Sequence, residues 1–187
     1  MPFWCEMNTD IRPKVKRIAI VGPECSGKTA LAMELAQHYR TAWVPEYART
    51  YLNSLDRPYT PDDLLIIARG QLKWEDELIQ QASGLLICDT NLLVIKIWSE
   101  FKYGSCHPEI IGLMRGRHYD LHLLTHPDIP WEDDPQREHP DKRDLLFSIY
   151  RREIIRLGVS FAEIYGSGES RIKKACKAID FLLLNKD

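Results

Sequence analysis

The segment from Gly22 to Thr29, with the sequence GPECSGKT, constrains the fold of this chain more than any other feature. It follows the pattern G-x-x-x-x-G-K-[ST] and lies between a short apolar run, residues 17–21, and a segment with helical spacing, residues 28–39. In this context Gly22 and Gly27 let the backbone curl so that its N–H groups surround an anion at the start of a helix. The motif therefore predicts a strand, a phosphate-binding loop and a helix in succession.

The residues of this loop are predicted to bind the phosphates of ATP and a Mg²⁺ ion. Lys28 is expected to reach the β- and γ-phosphates as a catalytic cation, and the Thr29 hydroxyl is expected to be a Mg²⁺ ligand. Cys25 has two interpretations, a small packing residue, which we favour, or a thiol made reactive by Lys28 and the helix dipole. The predicted ATP-binding residues are Gly22, Glu24, Cys25, Ser26, Gly27, Lys28 and Thr29.

Strand-like apolar runs alternate with helical periodicity along the rest of the chain. The predicted strands are residues 17–21, 42–44, 85–89, 119–124 and 159–165, and the predicted helices are residues 28–39, 60–84, 92–101, 108–117, 144–157 and 170–184. Such alternation is typical of a parallel sheet with right-handed crossovers. The sequence thus predicts an α/β fold, the three-layer sandwich of P-loop NTPases, with helices on both faces of a parallel sheet and a lid.

The lid is predicted at residues 131–143, WEDDPQREHPDKR, because this polar, proline-interrupted stretch has nothing to add to a core. Arg137 is a candidate catalytic residue, since an arginine there could stabilise the charge that spreads over a transferred phosphoryl group. Arg143 is a second mobile cation, and solvated surface charge is the alternative for both. Residues 15–187 are expected to form one P-loop kinase domain that includes this lid, and residues 1–14 a disordered tail.

Polar residues follow two of the predicted strands, at the edge of the sheet where ligands bind in open α/β folds. Asp89 is a candidate Mg²⁺ ligand and catalytic acid, with helix capping as the alternative. Glu46 is a candidate base for an acceptor hydroxyl, with Asp89 as its competitor for that role. Arg49 is expected to hold a ribose or phosphate oxygen, although an exposed Glu46–Arg49 ion pair is the alternative. Thr90 is a candidate substrate contact.

Charge and composition narrow the partners and the compartment. A net charge of −2 gives no general attraction to nucleic acid or to an anionic membrane. No apolar run approaches the roughly 18 residues that span a bilayer, and the N-terminus lacks the apolar core of a signal peptide. The five cysteines include no CxxC pair, which predicts a reducing, cytoplasmic location. We therefore expect a small-molecule partner, with neither nucleic acid nor membrane.

Four segments in this order carry a family resemblance: GPECSGKT, PEYAR, LLICDT and YDLHLLTHPDIPWEDDPQR. Together they resemble the ribosylnicotinamide kinase domain of NadR-type proteins, within the small AAA-like P-loop ATPases, over residues 17–184. The resemblance matches Glu46 and Arg49 to an E-Y-x-R element, Asp89 and Thr90 to a D-T element, and Asp134 and Arg137 to a lid pair. Three departures are Cys25 for serine, Asn91 for aspartate and Pro135 for glycine.

The resemblance implies ATP-dependent phosphorylation of nicotinamide riboside at its 5′-hydroxyl, giving nicotinamide mononucleotide. Because the sequence shows no counterpart of the adenylyltransferase and DNA-binding parts of the long family members, only the kinase step is implied. The aromatic residues Trp43, Tyr47 and Trp74 suit several rings, so the acceptor stays open. The alternatives are a kinase for another nucleoside, a vitamin alcohol or a nucleoside monophosphate such as thymidylate, and a regulatory P-loop ATPase.

Overall fold

The first strand, β1 (Lys16–Val21), lies at the centre of the sheet because its apolar run is buried on both faces. A computed structural model describes residues 15–185, and the tail predicted for residues 1–14 lies outside the described residues. The other strands are β2 (Trp43–Val44), β3 (Leu85–Asp89), β4 (Leu121–Thr125) and β5 (Phe161–Ile164). All neighbours are parallel, in the order β2-β3-β1-β4-β5.

Helices cover both faces of this sheet. They are α1 (Lys28–Tyr39), α2 (Tyr47–Asn53), α3 (Pro61–Leu78), α4 (Leu92–Tyr103), α5 (Pro108–Arg115), α6 (Arg143–Leu157) and α7 (Gly168–Leu184). On one face, Leu35 of α1 and Ile179 of α7 join the buried cluster around Ile18. On the other face, Ile97 of α4 and Ile154 of α6 pack around residues of the same strands. The predicted three-layer α/β sandwich is therefore confirmed.

The start of α3 is confirmed at atomic detail by a capping box. The carboxylate of Asp63 accepts hydrogen bonds from the backbone N–H of Thr60 at 2.7 Å and from its hydroxyl at 2.9 Å. Pro61 occupies the first helical position, as its fixed φ favours. The predicted end near Gly84 is wrong, because the α-helix ends at Leu78 and continues only as a 3₁₀ turn, Ile79–Gln81.

The helix α2 was not predicted from the sequence. Only Ala48 of its seven residues is buried, so the apolar periodicity that marks other helices is missing. A tertiary contact fixes its start instead, because the backbone N–H of Tyr47 donates to Oε1 of Gln71 on α3 at 2.9 Å. As a result Glu46 lies at the N-terminal end of a helix, and Arg49 lies one turn into it.

The observed ends of two strands and of one helix differ by a few residues from the predicted ends. The fourth and fifth strands are shorter than predicted, at Leu121–Thr125 and Phe161–Ile164. Helix α6 begins at Arg143, so the last residue of the predicted lid is already helical, after a 3₁₀ turn at Pro140–Lys142. Within residues 15–185, no helix is long and apolar enough to cross a membrane.

Candidate functional site

The phosphate loop joins β1 to α1, as its motif predicts. Gly22 has φ 142°, and a Cβ on it would lie 2.5 Å from Oγ1 of Thr125 and 2.7 Å from the Thr125 carbonyl oxygen. Gly27 has φ 73°, which is also strained for any residue with a side chain. The Ser26 hydroxyl donates to the Pro23 carbonyl oxygen at 2.7 Å and lies 2.7 Å from Oγ1 of Thr125. These contacts hold the loop in a fixed, glycine-dependent shape.

The Lys28 ammonium folds back over the loop. Its Nζ donates to the carbonyl oxygens of Gly22 at 3.1 Å and Pro23 at 2.8 Å. Burial lowers the pKa of Lys28, while the carboxylates of Glu46 and Asp89 act in the opposite direction. The cation is thus held where an anion above the loop would meet it.

Asp89 ends β3 beneath this loop, and the pairing of Ile20 with Asp89 fixes that position. Its side chain is 1% exposed, and neither carboxylate oxygen has a hydrogen-bond partner among the described residues. Burial raises the pKa of Asp89 to about 6 and Glu46 acts in the same direction, while the Thr29 hydroxyl and Lys28 oppose the rise. A buried carboxylate without a partner, beside a hydroxyl, is a donor set that fits Mg²⁺.

The alternative role for Asp89, a helix cap, is not what the structure shows. Helix α4 is capped by Asn91, whose Oδ1 accepts from the backbone N–H of Leu93 at 3.1 Å. The amide of Asn91 lies 3.2 Å from Nε2 of His122 in the core. Asn91 therefore has a structural role as the cap of α4, and Asp89 does not cap this helix.

Replacing Asp89 by asparagine is expected to stabilise the protein without ligands at pH 7.5. Because the pKa of Asp89 is raised from 3.8 to about 6, the folded state loses stability as the pH rises through that window. Asparagine removes the buried charge, so the free energy of unfolding should rise by roughly 1–3 kcal/mol above pH 6, with a smaller gain toward pH 4.

Urea denaturation at pH 5 and pH 7.5 measures this effect. Asp76→Asn is the matched control, because the Arg117 guanidinium lies 2.7 Å from Asp76 and holds the pKa of that carboxyl below its usual range. The control should lose stability slightly, by roughly 0–1 kcal/mol, because the Asp76 side chain is 60% exposed to solvent. A destabilised Asp89→Asn protein at pH 7.5 would contradict the raised pKa of Asp89.

A cavity of about 590 Å³ extends from the phosphate loop toward α4 and α6. Part of its lining is apolar and aromatic, and we call this part the aromatic chamber: Val94, Ile97, Trp98, Phe101, Leu146 and Tyr150. The expected ring-binding residues Trp43, Tyr47 and Trp74 do not line it. Tyr47 and Trp74 instead pack edge to face, with ring centroids 4.8 Å apart. That expectation is corrected, because only tertiary packing shows which aromatic residues face the cavity.

Glu46 and Arg49 line the same cavity as the phosphate loop and the aromatic chamber. Nε of Arg49 lies 3.4 Å from Oε2 of Glu46, and its Nη1 lies 2.9 Å from Oδ2 of Asp134. The predicted pair therefore exists, but it faces a cavity and also engages the lid. Thr90 is different: it is 1% exposed, has φ 73° and is not among the cavity-lining residues.

The lid lies against the phosphate loop. Nη1 of Arg137 donates to Sγ of Cys25 at 3.3 Å, and Arg137 also lines the cavity. Arg143 does not line it, since its Nη1 donates to the carbonyl oxygens of Cys25 at 3.1 Å and Ile129 at 2.9 Å. Oε2 of Glu24 accepts from the backbone N–H of Glu138 at 2.8 Å. The loop and the lid thus form one wall of the cavity.

The parallel sheet and the loop between β1 and α1 define a P-loop nucleotide-binding protein. Residues 17–171 match the family model described as AAA domain, and the chain belongs to this family. It is similar to the trifunctional NAD biosynthesis/regulator protein NadR of Escherichia coli (strain K12), with 28% identity over 168 residues. That match covers 86% of this chain and 39% of the relative, so the chain spans about two fifths of the relative's length.

Solved structures confirm the fold class. A NadR protein in complex with NR superposes with a TM-score of 0.79 and 20% identity, over 92% of this chain and 52% of that chain. The deoxyadenosine kinase from M. mycoides, with products dCMP and dCDP bound, superposes with a TM-score of 0.63 and 12% identity, over 88% and 99% of the two chains. The resemblance to NadR-type proteins is confirmed.

Proposed function

We propose that this chain transfers the γ-phosphoryl group of ATP to the 5′-hydroxyl of nicotinamide riboside, forming nicotinamide mononucleotide. The observation that carries the proposal is a single cavity whose lining includes the phosphate loop, Glu46 and Arg49, and the aromatic chamber. Similarity to NadR and to a NadR structure with bound NR supports the choice of acceptor.

The nucleotide end of the cavity holds the triphosphate. Backbone N–H groups between Gly22 and Thr29 are expected to bind the phosphates, with Lys28 moving from its carbonyl partners to the β- and γ-phosphate oxygens. Thr29 and Asp89 would hold Mg²⁺, which neutralises charge on those oxygens when it is bound.

The transfer step needs a base for the acceptor hydroxyl, and the attacking oxygen must lie in line with the bond from the γ-phosphorus to its leaving oxygen. Glu46 accepts the proton of the 5′-hydroxyl, and the resulting oxygen forms a bond to the γ-phosphorus. The bond between that phosphorus and the β–γ bridging oxygen breaks, and ADP leaves with its electron pair. Lys28 and Arg137 stabilise the negative charge of the transferring group, while Arg49 orients the ribose.

The chemistry of the aromatic chamber favours a cationic ring. The nicotinamide ring of the riboside carries a positive charge, and a cation over Trp98, Phe101 or Tyr150 is attracted by the ring faces. Five carboxylates and three cationic side chains line the cavity, so the surplus is negative. The carboxylates belong to Glu24, Glu46, Glu132, Asp134 and Glu138. A neutral nucleobase is attracted less strongly by the aromatic ring faces and by the surplus of carboxylates.

A thermal-shift screen with a non-hydrolysable ATP analogue and Mg²⁺ tests the acceptor. Nicotinamide riboside is expected to raise the unfolding temperature more than adenosine, thymidine or thymidylate at equal concentration, because binding to the native state alone adds about 2.7 kcal/mol at a hundredfold excess over Kd. A larger shift with thymidylate or a neutral nucleoside would contradict the proposed acceptor and favour the other kinase class.

Arg137→Ala is expected to lower kcat at least tenfold with little change in KM for the nucleoside. The guanidinium acts on charge that develops in the transition state, whereas the ribose is neutral. Steady-state kinetics with Arg152→Ala, an exposed arginine on α6, provides the charge-matched control. A raised KM with unchanged kcat would make Arg137 a binding residue.

Asp89→Asn is expected to raise the Mg²⁺ concentration for half-maximal activity at least tenfold, while KM for the nucleoside changes less. The reason is that Asp89 offers the only buried carboxylate beside Thr29 in the described part of the chain. Titration of Mg²⁺ at saturating ATP measures the midpoint. An unchanged midpoint would remove Asp89 from the metal site.

A further inference from the structure

The Cys25 thiol connects the phosphate loop to the lid through three hydrogen bonds. Its Sγ donates to the carbonyl oxygen of Pro130, the residue before the lid, at 3.4 Å. The same sulfur accepts from the backbone N–H of Glu132 at 3.2 Å and from Nη1 of Arg137 at 3.3 Å. The side chain of Cys25 is therefore directed at the lid, although the residue belongs to the phosphate loop.

Two of these bonds are part of a closed ring that holds the Arg137 guanidinium. Nη1 of Arg137 donates both to Sγ of Cys25 and to the carbonyl oxygen of Glu132. The backbone N–H of Glu132 donates to the same sulfur. Because the thiol bonds both to the guanidinium and to the backbone beside it, Cys25 fixes the cation and its lid segment together.

The other groups near the Arg137 guanidinium hold it less directly. Oδ2 of Asp134 lies 3.8 Å from Nε, beyond hydrogen-bond distance, and the same oxygen is paired with Nη1 of Arg49 at 2.9 Å. The ring of Trp131 lies 5.9 Å from Cζ, near the outer limit of a cation–π contact. Both residues precede Arg137 in the same lid, so Cys25 provides the connection to the phosphate loop.

A thiol suits this task because it is a neutral and weak hydrogen-bond acceptor. It can direct the guanidinium without cancelling its positive charge, whereas a carboxylate in the same place would pair with that charge. A fixed cation aimed at the place where negative charge develops lowers the barrier without reorganisation during the reaction. The charge of Arg137 thus remains available to a transferring phosphoryl group.

We infer that Cys25 is a positioning residue, which directs Arg137 toward the phosphoryl group that the phosphate loop binds. The inference rests on the proposed function, in which Arg137 stabilises the charge of that group, and it adds the residue that acts through Arg137. The phosphate loop then has two tasks, because it binds the phosphates and also sets the position of the lid cation.

A double-mutant cycle in steady-state kinetics with ATP and nicotinamide riboside tests this assignment. The variants are Cys25→Ala, Arg137→Ala and the protein with both changes, together with Cys25→Ser. Cys25 has φ 48°, and since alanine and serine keep a Cβ, neither replacement relieves the backbone of that conformation. Cys106→Ala is the control, because Cys106 is a half-buried free thiol outside the cavity lining.

Cys25→Ala is expected to lower kcat roughly five- to tenfold, the effect of losing one hydrogen bond to a charged group, with KM for both substrates nearly unchanged. Cys25→Ser should recover kcat to within about threefold of the wild type, because a hydroxyl also accepts from N–H groups. In the Arg137→Ala protein, the further change Cys25→Ala should alter kcat less than about twofold, since the group that Cys25 positions is gone. The control should match the wild type.

Other results would overturn the assignment. An unchanged kcat in Cys25→Ala, or the same loss with and without Arg137, would remove the positioning role while nicotinamide riboside remained a substrate. A higher KM for ATP with unchanged kcat would make the thiol part of nucleotide binding, and an unfolded Cys25→Ala protein would make it a structural residue. A wild-type protein that leaves nicotinamide riboside unphosphorylated would overturn the proposed function, and the role of Cys25 with it.

Discussion

Lys28→Ala is expected to remove nearly all phosphoryl transfer, with kcat falling by roughly 10²–10³-fold or more. The Lys28 ammonium already lies over the loop, 2.8 Å from the Pro23 carbonyl oxygen. The variant should fold normally, because burial lowers the pKa of Lys28 and its removal relieves a desolvated charge.

Turnover, circular dichroism and thermal unfolding measured together test this prediction. Lys173→Ala is the matched control, since Lys173 is exposed on α7 and forms an ion pair with Glu169 on the same helix. The control should keep full turnover. Near-normal turnover of Lys28→Ala would mean that the loop does not hold the reacting phosphate. An unfolded variant would contradict the expectation that the fold does not depend on Lys28.

Glu46→Gln is expected to lower kcat by about 10²–10⁴-fold while ATP affinity stays unchanged. A ribose hydroxyl is a weak nucleophile at neutral pH, and glutamine keeps the shape of Glu46 but cannot accept the proton. Glu46 lines the cavity beside Arg49. At saturating ATP and Mg²⁺, the pH–rate profile of the variant should lose its acidic limb.

Saturation with Mg²⁺ matters in that experiment, because burial raises the pKa of free Asp89 to about 6 and its titration could imitate that of a base. Glu132→Gln is a matched control, since Glu132 also lines the cavity but lies on the lid. An acidic limb that survives in Glu46→Gln, with only a higher KM for the nucleoside, would show that Glu46 holds the ribose. Asp89 would then become the candidate base.

The phosphate loop and the sheet could be predicted because their signals are local. Gly22 must be glycine because a Cβ at this position would clash with Thr125, and the sequence motif includes this glycine. The run Leu85–Asp89 is apolar up to its last residue, so both the strand and the acid at its end were visible in the sequence. Parallel pairing then brings Asp89 next to the loop.

The acceptor end could not be predicted because it depends on packing between distant segments. Trp98 and Phe101 come from α4, Tyr150 from α6 and His139 from the lid, and none of them carries a motif. The contacts of the Glu24 carboxylate with the lid backbone were likewise not visible in the sequence. Sequence spacing contains no information on such contacts across more than 100 residues.

One measurement tests the central claim most directly: the product formed when the purified chain is incubated with ATP, Mg²⁺ and nicotinamide riboside, detected by ³¹P nuclear magnetic resonance and mass spectrometry. We predict nicotinamide mononucleotide and ADP in equal amounts, little ADP without the acceptor, and no product with Lys28→Ala. ADP released at the same rate with and without the riboside, and no phosphorylated riboside, would contradict the account and favour a regulatory ATPase.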